Sequence, residues 1–382
     1  MGSYRQNDRI NFMASTLGKK TQKKKKQTSS IEEKAKSFGS LLLTLIVVLF
    51  VQSFFIQGYS TPTGSMLNTI LIGDKMFFNQ FLYGGSTPRN IPFTEIRLPY
   101  IQLPAIREPR REDIVNFEFP GNREEVDASM KVQYLKRCVG EPGDIIEIKD
   151  AVLFVNGEKF PVSPTQQLTY KVFLDSTKIK RNDFFRMIQT SEYLDKFEIT
   201  DSRSIQGMFP DTAGMYVIVP LPEKKVAEFR AQPFIKKVVV NIDHKSVEDP
   251  GIFPKGKPWN RDNYGPLRVP VKGDVVTIDA ANFGEWDTFI KREGHTIELR
   301  GGKVFIDGKE TNQYTVEHNY YFMMGDNRHN SLDSRFWGFV KREAVVGKAW
   351  FTYFSWNSEI PFSDFGKLLG SIRWDRIGMP IK

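Results

Sequence analysis

Apolar side chains run from Phe38 to Ile56 without a charged residue, and no charge follows until Asp74. About 20 apolar residues cross a bilayer core, so this run predicts one transmembrane helix over residues 38–57. A cleaved signal peptide is the competing reading. The run is long for one, and the basic stretch before it far exceeds a usual n-region. Past Gly58 the pattern changes to short β-branched and aromatic runs separated by turn residues. Ile114–Phe119, Ile145–Ile148 and Val275–Ile278 are examples, and such runs predict strands. Asn156-Gly157 and Asp307-Gly308 each sit between two such runs, and these pairs supply the positive φ angles of tight hairpins.

The two hairpins belong to a longer echo. Asp113-Ile114-Val115, Tyr134-Leu135-Lys136-Arg137 and Ile145–Ile148 precede the first. Asp274-Val275-Val276, Phe289-Ile290-Lys291-Arg292 and Thr296–Leu299 precede the second. The echo predicts a duplicated β-unit, with Lys136 and Lys291 on equivalent strands; chance likeness of generic strands is the alternative. Residues 161–270 between the units are polar, punctuated at Pro250-Gly251 and Pro254–Pro258, with a helical stretch at Glu223–Gln232. They read as an inserted α+β subdomain without catalytic character.

The formal net charge of +9 first suggests nucleic acid, but its distribution argues otherwise. Residues 1–37 hold ten basic and three acidic side chains, so this tail carries +7 and the remainder only +2. A basic tail directly before an apolar run reads as cytoplasmic and lipid-facing, with residues from about 58 onward on the other side. The 40% hydrophobic content suffices for a sizeable core. A single cysteine, Cys138, excludes an intrachain disulfide and reads as a small core residue. Four scattered histidines form no zinc-binding pattern, and no cofactor motif stands out.

Three segments carry candidate chemistry. Thr63-Gly64-Ser65-Met66 places a serine in a turn-prone stretch just beyond the apolar run. A serine hydroxyl needs a base, and a lysine serves if burial lowers its pKa toward neutrality. Lys136, in the strand-like run Leu135–Val139, fits that demand, with Arg137 on the opposite face of the strand, although taken alone a surface lysine is the commoner reading. His329 is two residues from Ser331, a spacing that means little on a strand. Oxyanion donors would be the Ser65 amide and the Thr63 hydroxyl, although by itself Thr63 reads more readily as a turn or cap residue. The loop Gly325–Arg335 alternates Asp326, Arg328, Asp333 and Arg335 with small polar residues. It reads either as a solvated turn or as a web of ion pairs fixing Ser331 beside the lysine.

Together these segments resemble the type I signal peptidases of the bacterial inner membrane. The likeness rests on Thr63–Met66, on Gly73-Asp74 through Tyr83-Gly84, on Tyr134–Asp144 and on Met324–Val340, in that order past the anchor. The resemblance implies an all-β catalytic domain of strongly bent sheets after one N-terminal transmembrane helix. Its parts would be 58–160 and 271–356, with a C-terminal tail at 357–382. It implies Ser65 as nucleophile, Lys136 as general base and Ser331 as the residue orienting the lysine. Thr63 and the Ser65 amide would form the oxyanion hole, and Asp326, Asp333 and Arg335 a supporting network. The implied partners are preprotein signal peptides with small residues at −1 and −3, read as an added strand, and membrane lipid; no cofactor is implied. Asn68 departs from the family's usual proline two residues after the methionine, which predicts a looser loop. Lys291 is a second candidate base, disfavoured because Glu293 would keep a surface strand lysine charged. A self-cleaving Ser–Lys protease of the repressor type and a non-enzymatic membrane-tethered scaffold are the competing readings. The first lacks a DNA-binding head, and the second leaves the Ser65/Lys136/Ser331 set without a purpose.

Overall fold

The computed structural model describes residues 36–45, 47–48, 56–60, 63–87, 99–129, 132–200, 202–211 and 214–382. The basic tail through residue 35 and much of the predicted membrane helix lie outside the described residues. Residues 36–45 and 47–48 are helical. Among the described residues no helix is long and apolar enough to cross a membrane. Residues 1–54 and 55–382 form two compact units.

The second unit is mostly β. Its main sheet is built from β1 (Ile56–Ser60), β2 (Asp74–Asn79), β3 (Ile114–Glu118), β4 (Gln133–Gly140), β18 (Tyr320–Met324), β19 (Val340–Lys341) and β20 (Val345–Ser355). The seven strands run antiparallel in the order β1-β2-β20-β3-β4-β18-β19. Register shifts between Lys75/Met76, Phe77/Phe78 and Val345/Gly347 bend the β2–β20–β3 region, as bulges do. Gly347 sits at this bend, where a Cβ would come within 3.1 Å of the Asn79 carbonyl oxygen. The curl brings edge strand β1 toward β4, and the Tyr59 hydroxyl donates to the Gln133 carbonyl at 2.9 Å. Met66, Ile70, Met76, Phe78, Ile114 and Leu135 fill the inside of the curl.

A second core lies under smaller sheets. One is built from β5 (Ile145–Lys149), β6 (Val152–Val155), β7 (Glu158–Lys159) and β12 (Tyr264–Arg268), in the order β12-β5-β6-β7. β13 (Val275–Thr277) pairs with β17 (Gln313–Thr315). The third is a three-stranded meander of β14 (Ile297–Arg300), β15 (Lys303–Ile306) and β16 (Lys309–Glu310). Both hairpin turns take the expected left-handed pair, φ 55° and 82° at Asn156-Gly157 and 50° and 77° at Asp307-Gly308.

The echo holds for these meanders and fails before the second. Phe283–Arg292 is an α-helix, so Lys291 is helical and not a strand residue. Phe283, Trp286, Phe289 and Ile290 recur at helical spacing and pack on the second core. Lys291 pairs with Asp287 one turn back at 3.4 Å, half in solvent. Glu293 is no partner of it: that carboxylate is buried and accepts from the Tyr320 hydroxyl at 2.8 Å and from the Tyr314 hydroxyl. Because an exposed pair of this kind contributes little, Lys291→Ala is expected to change stability by less than about 0.5 kcal/mol and to leave cleavage unaltered. Parallel thermal unfolding and activity assays check this.

Residues 167–240 build a separate sheet from β8 (Gln167–Leu174), β9 (Gln206–Asp211), β10 (Gly214–Pro222) and β11 (Ile235–Val240). Its strand order is β11-β8-β10-β9. Helices Arg181–Ile188, Ser191–Lys196 and Glu223–Arg230 accompany it. Val172, Phe184, Phe197, Val217 and Phe229 give it a core of its own.

Candidate active site

The serine sits in a tight turn between β1 and β2. Leu67 N–H donates to the Gly64 carbonyl at 3.1 Å and Ile70 N–H to the Met66 carbonyl at 2.8 Å. Met66, Leu67 and Ile70 anchor the turn by burial. Asn68 has φ 71°, a left-handed conformation that asparagine tolerates and that proline, locked near −65°, cannot adopt. Its amide donates to the Gln167 side chain at 2.6 Å. The departure at Asn68 therefore does not loosen the loop; it fixes the turn to β8.

Lys136 projects from β4 to this turn. Its Nζ donates to Ser65 Oγ at 2.7 Å and to the Leu135 carbonyl at 3.1 Å. The side chain is 4% exposed. Burial lowers its pKa to about 8, against an opposing pull from Asp333 and Asp326. A proton-accepting amine is then available near neutral pH. Because only the neutral amine can take the serine proton, the cleavage rate is expected to rise about tenfold per pH unit up to about pH 8 and to level beyond it. A kcat/KM profile from pH 5.5 to 9.5 checks the slope and the midpoint. Cys138 is buried, as expected of a core residue, and burial pushes its thiol up, away from a reactive thiolate.

The loop 325–335 is an ion-pair web, not a solvated turn. Asp326 accepts from Arg137 Nε at 2.8 Å and Nη2 at 2.7 Å, and Asp333 accepts from Arg335 Nε at 2.9 Å and Nη2 at 2.8 Å. Burial alone would raise both carboxyls, but the guanidiniums hold them below the usual carboxylate range. The web grips the serine turn directly. Thr69 Oγ1 donates to Asp326 at 2.6 Å, Asn327 N–H to the Ser65 carbonyl at 3.0 Å, and the Asn327 amide to the Gly64 carbonyl at 3.0 Å. Gly325 lies between the two serines: a Cβ there would fall 2.3 Å from Ser331 Oγ and 2.6 Å from the Ser65 carbonyl oxygen. Ser331 itself is buried, and its Oγ makes no hydrogen bond among the described residues. Lys136 therefore bonds Ser65 and not Ser331 in this structure. His329 points away from the serine, to Thr169 Oγ1 at 2.7 Å and Asp262 at 3.0 Å.

Ser65, Lys136 and Thr63 line a cavity of about 620 Å³, walled by Tyr134, Leu135 and Leu332. Among the described residues the Ser65 amide has no hydrogen-bond partner. On one wall β18 pairs with β4 from Arg137 to Gly140, and among the described residues no strand pairs with Gln133–Lys136 on that edge, where the Tyr59 hydroxyl and Lys136 Nζ donate to the Gln133 and Leu135 carbonyls.

The family model for signal peptidase, peptidase S26, matches residues 34–213 and 309–356. The chain belongs to this family. Signal peptidase I of Buchnera aphidicola from Schizaphis graminum is 26% identical over 345 residues, covering 88% of this chain and 81% of the relative. That of Helicobacter pylori strain 26695 is 27% identical over 353 residues, covering 87% and 88%. A shorter match, 35% identical over 133 residues, links it to signal peptidase I of Rickettsia prowazekii, covering 35% of this chain and 47% of the relative. This signal peptidase is a serine endopeptidase that removes signal peptides from preproteins.

Several supporting residues of the signal peptidase are not legible in its motifs. Arg376, in the C-terminal tail beyond the family match, forms a buried pair with Asp74 and donates to the Thr69 carbonyl at 3.2 Å. Ile381 packs with Met66 and Leu135. The tail is thus part of the scaffold under the serine turn.

Proposed function

We propose that this signal peptidase works through a Ser65–Lys136 dyad and an acyl-enzyme. The 2.7 Å contact between Lys136 Nζ and Ser65 Oγ in a buried setting carries this reading. Neutral Lys136 takes the Ser65 proton as Oγ attacks the scissile carbonyl. The oxyanion is met by the Ser65 N–H and the Thr63 hydroxyl. The lysine ammonium then protonates the departing amine, and the neutral amine next activates water against the ester. Ser331, across Gly325 from Ser65, is the group that orients the amine once substrate has entered. Asp326, Asp333 and Arg335 keep that geometry fixed.

The substrate adds a strand along Gln133–Leu135, displacing the Tyr59 hydroxyl and Lys136 Nζ from the Gln133 and Leu135 carbonyls, so backbone pairing supplies affinity and the cavity walls select small residues at −1 and −3. Within the 161–270 insertion, the separate sheet of residues 167–240 forms a subdomain that buttresses the 325–335 loop through Gln167 and Thr169, while Tyr264–Arg268 pairs with β5 of the catalytic part. Residues 38–57 span the inner membrane once, with the +7 tail cytoplasmic and the catalytic unit outside. Trp350, Tyr353, Phe362 and Trp374 are exposed on that unit, large apolar side chains suited to lipid.

The test is cleavage of a model preprotein by the purified full chain. An alanine at −1 is expected to be cut, and a leucine or tryptophan there to reduce cleavage at least tenfold. Equal rates for all three would remove the specificity assignment. Protease added to oriented inner-membrane vesicles tests topology, and cleavage of tail and catalytic unit from one side would refute it.

A further inference from the structure

The ion-pair web around the active site leaves one buried cation over. Asp326 is taken by Arg137, Asp333 by Arg335, and Asp262 by His329 and Arg261. Arg328 is 5% exposed, yet among the described residues its guanidinium makes no hydrogen bond and no ion pair. Its Nε is sealed from solvent without a partner. Asp326 and Asp333 act on it only through space, while Arg335 and Arg137 repel it, and burial lowers its pKa to about 10. At neutral pH it stays charged. A buried charge with unfilled donors is costly, and the cost falls when an anion fills them.

Arg328 lines a cavity of about 240 Å³ between the β5–β6 hairpin and β8. This cavity shares no lining residue with the one at Ser65 among the described residues. Lys159 and Arg230 add two positive charges, and Glu223 is the one carboxylate among the described residues that line it. The remaining wall is largely apolar, with Leu153, Phe160 and Val226. We propose that this cavity is a second ligand site, distinct from the catalytic centre, that binds a small organic carboxylate with its head on Arg328 and its apolar body against the hairpin. A planar guanidinium pairs a carboxylate through two parallel hydrogen bonds, and the apolar wall favours a hydrocarbon body over a bare anion. Occupancy has a short route to the catalytic loop. Arg328 N–H donates to the Gln167 carbonyl at 3.0 Å, its carbonyl accepts from Arg335 at 2.6 Å, and Ser331 is three residues on.

The experiment uses the purified full chain with hexanoate, inorganic phosphate and chloride as probes at matched ionic strength. Binding is followed by calorimetry and by thermal unfolding, so the outcome does not depend on cleavage. Hexanoate is expected to bind and raise Tm, phosphate to do so more weakly, and chloride not at all. Arg328→Met is expected to abolish the hexanoate shift. An exposed charge contributes at most about 1 kcal/mol, so Arg230→Ala, on an exposed helix position that does not threaten folding, is expected to weaken binding by about 2- to 5-fold. The assignment falls if hexanoate does no more than chloride, if phosphate binds better than hexanoate, or if binding survives unchanged in folded Arg328→Met or in Arg230→Ala.

Discussion

Ser65→Ala and Lys136→Met are each expected to lower kcat/KM for a preprotein by about 10³-fold or more, and the double variant by no more than the worse single one. The two groups act as a unit, so removing either removes the shared step. Their effects on stability are expected to differ. Ser65→Ala deletes one acceptor of a hydrogen bond and changes stability little. Lys136→Met is expected to stabilise the protein at pH 7. The lysine has its ordinary pKa of 10.5 when unfolded and about 8 when folded. Between these values the unfolded chain holds a proton that the folded chain lacks, so native stability rises with pH across that window. Below pH 8 the full cost of burying the ammonium is present, and methionine removes roughly 3 kcal/mol. Above about pH 10.5 the gain disappears. Urea unfolding at pH 7 and pH 10.5, beside steady-state cleavage, checks both halves. A Lys136→Met protein that still cuts, or one less stable than wild type at pH 7, would contradict a buried lysine base.

What the motifs disclose is local chemistry. Ser65, Lys136 and the acidic and basic residues of 325–335 stand in short segments that allow a nucleophile, a desolvated amine and paired charges, and only their joint resemblance to a known family favours those roles over a surface lysine and a solvated turn. The Asn-Gly and Asp-Gly turns are legible because few other pairs reach two successive positive φ angles. Long-range partners are not. Arg376 lies 302 residues from Asp74, and nothing in the periodicity of either segment points to the other. The helix at Phe283–Arg292 hides behind the echo, because Phe289-Ile290-Lys291-Arg292 matches a strand over four residues. The 3.6-residue recurrence of Phe283, Trp286, Phe289 and Ile290 over eight is the better guide. Asn68 misleads for a different reason. Absence of proline suggests looseness, whereas the position requires a left-handed backbone that proline would forbid.

The pair Arg137–Asp326 should be the most stability-critical contact in the site. Both side chains are buried, and among the described residues Asp326 has no other cation in hydrogen-bond contact, only the Thr69 hydroxyl and the Met66 sulfur near its amide. Arg137→Leu leaves that carboxylate desolvated and unpaired, which costs about 3–5 kcal/mol at neutral pH. In the wild type the guanidinium holds Asp326 below the usual carboxylate range, so its contribution is present above the unfolded pKa and is lost as pH falls through the folded one. In Arg137→Leu burial is opposed only by the Thr69 hydrogen bond and the Arg328 charge, so the carboxyl rises and protonates at a higher pH than in the wild type. The deficit of the variant is therefore expected to be largest near pH 7 and to shrink toward pH 4. The double variant Arg137→Leu/Asp326→Leu, with no stranded charge, is expected to recover most of the lost stability but not activity, because Thr69 and the serine turn have lost their anchor. Urea unfolding of the four proteins of this cycle at pH 7 and pH 4.5, each paired with a cleavage assay, decides the matter. A single variant that loses less than about 1 kcal/mol at pH 7, or a double variant no more stable than Arg137→Leu alone, would show that Asp326 is not held by Arg137 in the folded protein.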